Sequence, residues 1–208
     1  MFATFDIEKK LWEQGIQNIV GLDEVGRGAW AGPLVVAAVI FPPFIEIDLK
    51  LKDSKKLSPL QRTELVYEIK KHALSIAYGI LPNTYIDNYG IVKATQRAMR
   101  DALRKLSIQP DFHLIDAFSI PYIPDSKQQP IIRGDALSAS IAAASIIAKV
   151  YRDSLMEGYG QKDQFNNYGF AEHKGYGTQK HREAIEKYGI CELHRKSFVP
   201  KNLYAEIL

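Results

Sequence analysis

An apolar run, residues 19–22 (IVGL), passes directly into Asp23-Glu24-Val25-Gly26-Arg27-Gly28, and that junction constrains the rest of the chain. The apolar residues read as a strand entering a core. Neighbouring side chains of a strand point to opposite faces, so Asp23 and Glu24 can share a site only where strand pairing bends or ends. Gly26 and Gly28 supply that freedom and leave the backbone open to a ligand. Arg27 adds a planar cationic fork suited to phosphate. Carboxylates for a metal, a phosphate-seeking arginine and bare amides together suit a nucleic-acid backbone. The same octapeptide also reads as an exposed turn in which Arg27 is the ion-pair partner of the acids, since motifs this short recur by chance.

The chain has 208 residues, one large domain or one domain with a small appendage. Its hydrophobic content of 46% is enough for a core. The net charge of +3 attracts polyanions only weakly. Basic residues are denser in 50–71, where seven Lys/Arg face three acids. Cys191 is the single cysteine, which excludes an internal disulfide and suits a reducing compartment. Residues 1–14 mix charged and apolar side chains and lack a signal-peptide core. The most apolar stretch, 136–148, is too short to span a bilayer. A soluble, cytoplasmic protein is expected.

In order along the chain, 7–14 predicts a short helix, 34–41 (LVVAAVIF) a buried strand antiparallel to the first, and 50–56 a charged loop. Ser58, Pro59 and Gln61 form a capping box that opens a helix to about residue 72. A third strand follows over 73–81, then helical sequence broken near Gly90. Its second part, 91–106, sets Val92, Thr95, Ala98, Met99, Ala102 and Leu103 at helical spacing. Strands are predicted over 112–117 (FHLIDA) and 131–133, and a small-residue helix over 138–157. Thr178 opens a last helix, which Gly189 stops. Strands first and helices interleaved later imply a mixed α/β sheet.

Asp23-Glu24, Asp116 and Asp135 each fall at a predicted strand end, where open α/β sheets build sites. Hard oxygen donors select Mg2+ or Mn2+ over zinc, and the scattered histidines and lone Cys191 offer no zinc alternative. Four carboxylates can hold two metals ~3.5–4 Å apart on a phosphodiester. Taken singly, Asp116 also reads as a plain strand end, and Asp135 as a residue leading into a helix.

The segments GLDEVGRGAWAGPLVVAAV, DSKKLSP, LIDAF, GDALSASIAAASIIAKVYRD, HKGYGT and HRKSF, in this order from about residue 21 to 200, closely resemble the ribonuclease HII (type 2 ribonuclease H) family. The resemblance implies a ribonuclease H-like mixed five-stranded sheet flanked by helices. It places a catalytic core in 1–158 and a small helical C-terminal extension in 159–208, continuous with the core. It further implies hydrolysis of the RNA strand of RNA–DNA hybrids and incision 5′ of single ribonucleotides in duplex DNA, as in ribonucleotide excision repair. The reaction would use two metal ions, Mg2+ or Mn2+, and leave 5′-phosphate and 3′-hydroxyl ends. By the same resemblance Asp23, Glu24, Asp116 and Asp135 match the metal-binding catalytic acids. Gly26, Arg27 and Gly28 match the loop that senses the 2′-hydroxyl, Tyr176 the tyrosine beside the ribonucleotide sugar, and Lys55 a lysine near the substrate backbone.

Other residues carry plainer readings. Asp153 is a rival fourth ligand, but its place far along a helix favours a surface ion pair. Lys52, Lys55 and Lys56 read either as a solvated loop or as phosphate contacts. His173 and His181 are candidates for proton transfer, with surface positions the simpler expectation. A monomer acting on hybrid and ribonucleotide-containing duplex is expected. No segment, the tail 201–208 included, specifically supports a replication clamp as partner. A catalytically weak hybrid-binding module of the same fold and a ribonuclease HIII-like, hybrid-only nuclease are the alternatives. Retention of all four acids speaks against the first, and the short lead-in before residue 21 against the second.

Overall fold

The computed structural model describes residues 2–47, 49–51 and 57–203. Strand β1 (Ile19–Val25) pairs antiparallel with β2 (Leu34–Ile40), and β2 antiparallel with β3 (Ser75–Leu81). On its other side β1 runs parallel to β4 (Phe112–Asp116), which runs parallel to β5 (Gln128–Ile131). The result is a mixed five-stranded sheet in the order β3-β2-β1-β4-β5.

Both faces of this sheet are covered. Helices α1 (Asp6–Glu13), α2 (Pro59–His72) and α5 (Ala139–Gly160) enclose one core; α3 (Asn83–Tyr89) and α4 (Ile91–Lys105) enclose the other. Val35, Ala37 and Val39 enter the first core, while Leu34, Val36, Ala38 and Ile40 enter the second. A strand buried on both sides needs an unbroken apolar sequence, which explains LVVAAVI. α5 lies hard against β1: a Cβ on Gly21 would meet the Ser140 backbone at 2.2 Å. The alanines and serines of its first half allow that approach, and Ala139 to Ala148 are all buried.

The caps follow the sequence. Ser58 and Gln61 exchange both capping-box hydrogen bonds, with Pro59 opening α2. Thr178 caps α7 (Gln179–Tyr188), which ends at Gly189. Two expectations need correction. The fifth strand is Gln128–Ile131, earlier than 131–133. Pro130 falls within it and is tolerated because β5 is an edge strand that need not donate on its outer side; Arg133 then turns left-handed and ends the extended run. Val92 is exposed, because it lies about 200° round α4 from Ala94, which opens the buried stripe Ala94, Thr95, Ala98, Met99 and Ala102.

After α5 come the short α6 (Phe170–His173) and α7. Phe165, Tyr168 and Phe170 share a cluster with Ala31 and with Met156 of α5, and Ile185 and Val199 share another with Trp30. These contacts bring the 173–178 loop back to the mouth of the sheet.

Candidate active site

A cavity of about 480 Å³ opens where β1 and β4 end. Leu22 pairs with Ile115, so the next residues, Asp23 and Asp116, lie side by side where β1 and β4 stop pairing with each other. β1 remains paired with β2 as far as Val25. Alternation sends Asp23 to the α5 side, where the Ser145 hydroxyl donates to its carboxylate. Glu24 belongs to the opposite face, and the two acids line one cavity because the β4 side of β1 is open beyond Leu22. The Asp116 carboxylate accepts a 2.7 Å hydrogen bond from the Gly134 N–H. That bond ties it to the 3-10 turn Gly134–Ala136, so Asp135 sits in a turn between β5 and α5 and not on a strand. Gly26, Arg27, Gly28, Lys149 and Tyr176 complete the lining together with Asp135. Lys52, Lys55 and Lys56 lie outside the described residues.

The acids are crowded and poorly solvated. Burial, then the neighbouring Glu24 charge, push the Asp23 carboxyl well above its ordinary range; Ser145 opposes this and Asp116 adds to it. Burial raises Glu24 to about 7 against the pull of Arg27. Arg27 Nη1 lies 3.5 Å from Glu24 Oε1, and its guanidinium covers the Phe118 ring at 5.2 Å. The ion pair of the plainer reading is therefore present, inside the cavity. Four carboxylates against Arg27 and Lys149 leave a lining that would repel a phosphate.

A divalent cation would reverse that. The donors are all oxygens, as Mg2+ or Mn2+ requires, and Glu24 Oε2 is buried without a hydrogen-bond partner. Among the described residues no three His, Cys, Asp or Glu side chains are close enough to hold an ion as they stand. The acids share a cavity without converging on a point, which is how like charges settle. The residues fit a cation by donor type and by this unmet acceptor.

Two arginines that the sequence reading did not single out organise the loops that border the cavity. Arg152 of α5 is fully buried. Its Nε donates to the Pro33 carbonyl (2.9 Å), Nη1 to Lys174 (2.9 Å) and Nη2 to Ala31 (3.1 Å). It thereby staples the 26–33 loop to the 173–178 loop, with the Tyr176 ring 5.3 Å from its guanidinium. Arg195, also buried, donates twice to the Gly32 carbonyl and once to that of Arg27. Burial and the charge of Arg152 lower it to about 9. The available signal was the polar stripe Ser145, Lys149 and Arg152 at i, i+4, i+7 in an otherwise apolar helix.

Asp153 pairs with Lys149 at 2.8 Å on α5 and does not line the acidic cavity. The surface placement expected for His181 is wrong, and His173 is half-buried. His181 is fully buried, and the two rings stack at 4.3 Å within the aromatic C-terminal core, away from the acids. Phe170, Tyr168 and Trp30 supply the apolar wall that holds them there.

A mixed five-stranded sheet with an acid-lined cleft at the ends of β1 and β4 defines a ribonuclease H-like protein. The solved structure of the PCNA:RNase HII complex from Archaeoglobus fulgidus superposes with a TM-score of 0.70 at 27% identity, over 88% of this chain and 96% of that one. Bst-RNase HIII, solved in complex with Mn2+, shares the fold at 21% identity with a TM-score of 0.70, over 92% of this chain and 70% of that one. The family model for Ribonuclease HII matches residues 20–201. A ribonuclease HII from Ruminiclostridium cellulolyticum is 50% identical over 92% of this chain and 74% of its own. The chain belongs to the ribonuclease HII family and is a ribonuclease H hydrolase. No helix among the described residues is long and apolar enough to cross a membrane.

Proposed function

We propose that this protein hydrolyses the RNA strand of RNA–DNA hybrids and incises duplex DNA on the 5′ side of a single embedded ribonucleotide, leaving 5′-phosphate and 3′-hydroxyl ends. One observation carries the reading. The acids Asp23, Glu24, Asp116 and Asp135 line the same cavity as the Gly26-Arg27-Gly28 loop and Tyr176, in a chain of the ribonuclease HII family.

Asp23, Glu24, Asp116 and Asp135 would hold Mg2+ or Mn2+, which when bound supply Lewis acidity to the phosphodiester. The chain's own residues then do the discriminating. RNA differs from DNA at one nucleotide only by the 2′-hydroxyl. Buried Gly26 and exposed Gly28 carry no side chain between that hydroxyl and the backbone amides. Arg27, its guanidinium already at the cavity, offers a fork to the adjacent phosphate. Tyr176, held over Arg152, presents a ring face to the sugar from the other side. Ser145 fixes Asp23, and the Gly134 N–H fixes Asp116.

The decisive experiment is a duplex DNA with one ribonucleotide, incubated with Mg2+ or Mn2+, with the cut mapped to the nucleotide. A nick 5′ of the ribonucleotide is expected. Cleavage of long hybrid alone would leave the hybrid half of the reading and remove the junction-specific half; no cleavage of either would overturn both.

A further inference from the structure

His173, His181 and His194 form a connected cluster outside the acidic cavity, and its hydrogen bonds point to one tautomer for each ring. The Gly175 N–H donates to His173 Nδ1 at 3.2 Å, so that nitrogen is bare; His173 Nε2 carries the proton and donates to the Tyr168 carbonyl at 2.7 Å. His181 Nδ1 faces the Tyr176 carbonyl at 2.9 Å, an acceptor only, so Nδ1 is protonated. The Cys191 N–H donates to His194 Nδ1 at 2.9 Å, which puts the proton of His194 on Nε2. His194 Nε2 then meets the bare Nε2 of His181 at 3.1 Å. His194 Nδ1 also lies 3.1 Å from the Cys191 sulfur and 3.3 Å from the Cys191 carbonyl; were that carbonyl its partner, His194 Nε2 would be bare and would face the bare Nε2 of His181, so the chain closes only when all three rings are neutral and in these tautomers.

This chain ends on the backbone of the loop that presents Tyr176. The Tyr176 N–H donates to the His173 carbonyl at 2.9 Å, and its carbonyl accepts from His181. His173 also holds Gly175, whose carbonyl receives the N–H groups of Trp30 and Ala31 from the other recognition loop. The His173 and His181 rings lie nearly parallel, 17° apart. Nothing in the acidic cavity requires two buried imidazoles and a half-buried third here, and a buried polar group is costly unless its partner is exact in role.

We propose that His194, His181 and His173 are positioning residues: a proton-ordered chain of neutral imidazoles that fixes the Gly175-Tyr176 backbone, and through it the Tyr176 ring, against the ribonucleotide sugar. The inference rests on the role of Tyr176 proposed above. The chain starts at the Cys191 amide, passes His194 and His181, and terminates on the Tyr176 carbonyl; His173 braces the same two residues from the stacked side.

Long-range 1H–15N correlation of the 15N-labelled intact protein at neutral pH tests the chain without any variant. His173 and His194 should appear as Nε2–H tautomers and His181 as the Nδ1–H tautomer; a different tautomer or a charged ring at any of the three overturns the proposal. The positioning role is read from two substitutions. His181→Asn keeps a donor near Nδ1, whereas His181→Gln moves it to the Nε2 position. The ratio of embedded-ribonucleotide cleavage to long-hybrid cleavage should fall about tenfold in His181→Gln, one hydrogen bond's worth, and stay near wild type in His181→Asn. Equal ratios in both variants, or equal loss on both substrates, would defeat the positioning role. If Tyr176→Ala leaves that ratio unchanged while the tautomers are as stated, the reading of Tyr176 fails and not the histidine chain.

Discussion

Arg152 sits directly beneath Gly26: a Cβ on Gly26 would lie 2.1 Å from Arg152 Nε, and the Gly26 backbone has φ of +91°. Two independent constraints therefore converge on one glycine, a left-handed conformation and a guanidinium with no room to yield. Arg152 cannot withdraw, because its three donors already hold the carbonyls of Pro33, Lys174 and Ala31.

Gly26→Ala should accordingly destabilise the protein by about 2–3 kcal/mol, combining backbone strain with displacement of a charged hydrogen-bond donor. Cleavage of both substrates should fall more than binding, since the loop and the Tyr176 strap shift together. Urea unfolding with parallel activity assays reads both effects. Arg152→Lys, which keeps the charge but not the fork, should lose about as much stability. A variant as stable and active as wild type would mean the staple holds nothing.

Asp116→Asn separates the charge of Asp116 from its structural bond. The asparagine oxygen can still accept from the Gly134 N–H, so the turn carrying Asp135 is retained. Turnover should drop by about 100-fold or more, as expected when several kcal/mol of transition-state charge stabilisation depend on a ligand. Hybrid binding in the absence of metal should hold or improve, because one repulsive charge is gone. Filter binding beside a cleavage assay decides it; wild-type turnover would take Asp116 out of the metal site.

Chelation by EDTA should abolish cleavage, and Mg2+ or Mn2+ should restore it. The raised Glu24 adds a pH signature. With Glu24 at about 7, a proton occupies the site below neutrality and must leave when a cation enters. Apparent metal affinity should weaken about tenfold per pH unit below 7 for each proton displaced. Calorimetric Mn2+ titrations at pH 6 in two buffers of different ionisation enthalpy should report release of at least one proton, and less at pH 8. Binding with no proton release at pH 6 would remove Glu24 from the ligand set.

Much of this was legible in the sequence for identifiable reasons. β1, β2, α2 and α7 announce themselves through apolar runs, a full capping box and a glycine stop, all local signals. The acids could be grouped because each sits where a predicted strand gives out. What was hidden depends on long-range contact. Arg152 and Arg195 read as surface charges until the 26–33 loop, more than a hundred residues away in sequence, is folded onto them. The histidines looked superficial because nothing local shows that Phe170, Trp30 and Tyr168 close over them. Pro130 disguised β5, since an edge strand permits what a central strand forbids.

The histidine cluster should make the fold acid-sensitive in a defined window. Burial lowers His181 to about 3 and His194 to about 4, whereas both take up protons near 6.5 when unfolded. Their contribution to stability is complete above pH 6.5 and is lost progressively as the pH falls towards 4. Each costs about a tenfold change in the unfolding constant per pH unit in that interval. Urea midpoints measured between pH 7.5 and 4.5 should show the slope, and His181→Asn should flatten it. That comparison isolates the imidazole from Asp23 and Glu24, whose raised values act in the opposite sense. A slope unchanged in the variant would mean His181 is already charged in the fold.

Tyr176 offers the sharpest functional contrast, because its ring is free of the scaffold that holds its backbone. The backbone is fixed by His173 and His181, while the ring lies half-buried at the cavity wall over Arg152. Tyr176→Ala should therefore leave the loop in place and cost stability only the cation–π contact, about 0.5–2 kcal/mol. On a long hybrid, sugars on either side of the scissile bond are all ribose, and misplacement of one contact is partly made up by neighbouring registers. On a single embedded ribonucleotide only one register is productive, so the lost ring contact falls wholly on the transition state. Cleavage at the single ribonucleotide should drop at least tenfold further than cleavage of the hybrid, with Tyr176→Phe near wild type if the ring face and not the hydroxyl makes the contact. Equal losses on the two substrates would show that Tyr176 is a wall of the cavity and not its sensor of the junction.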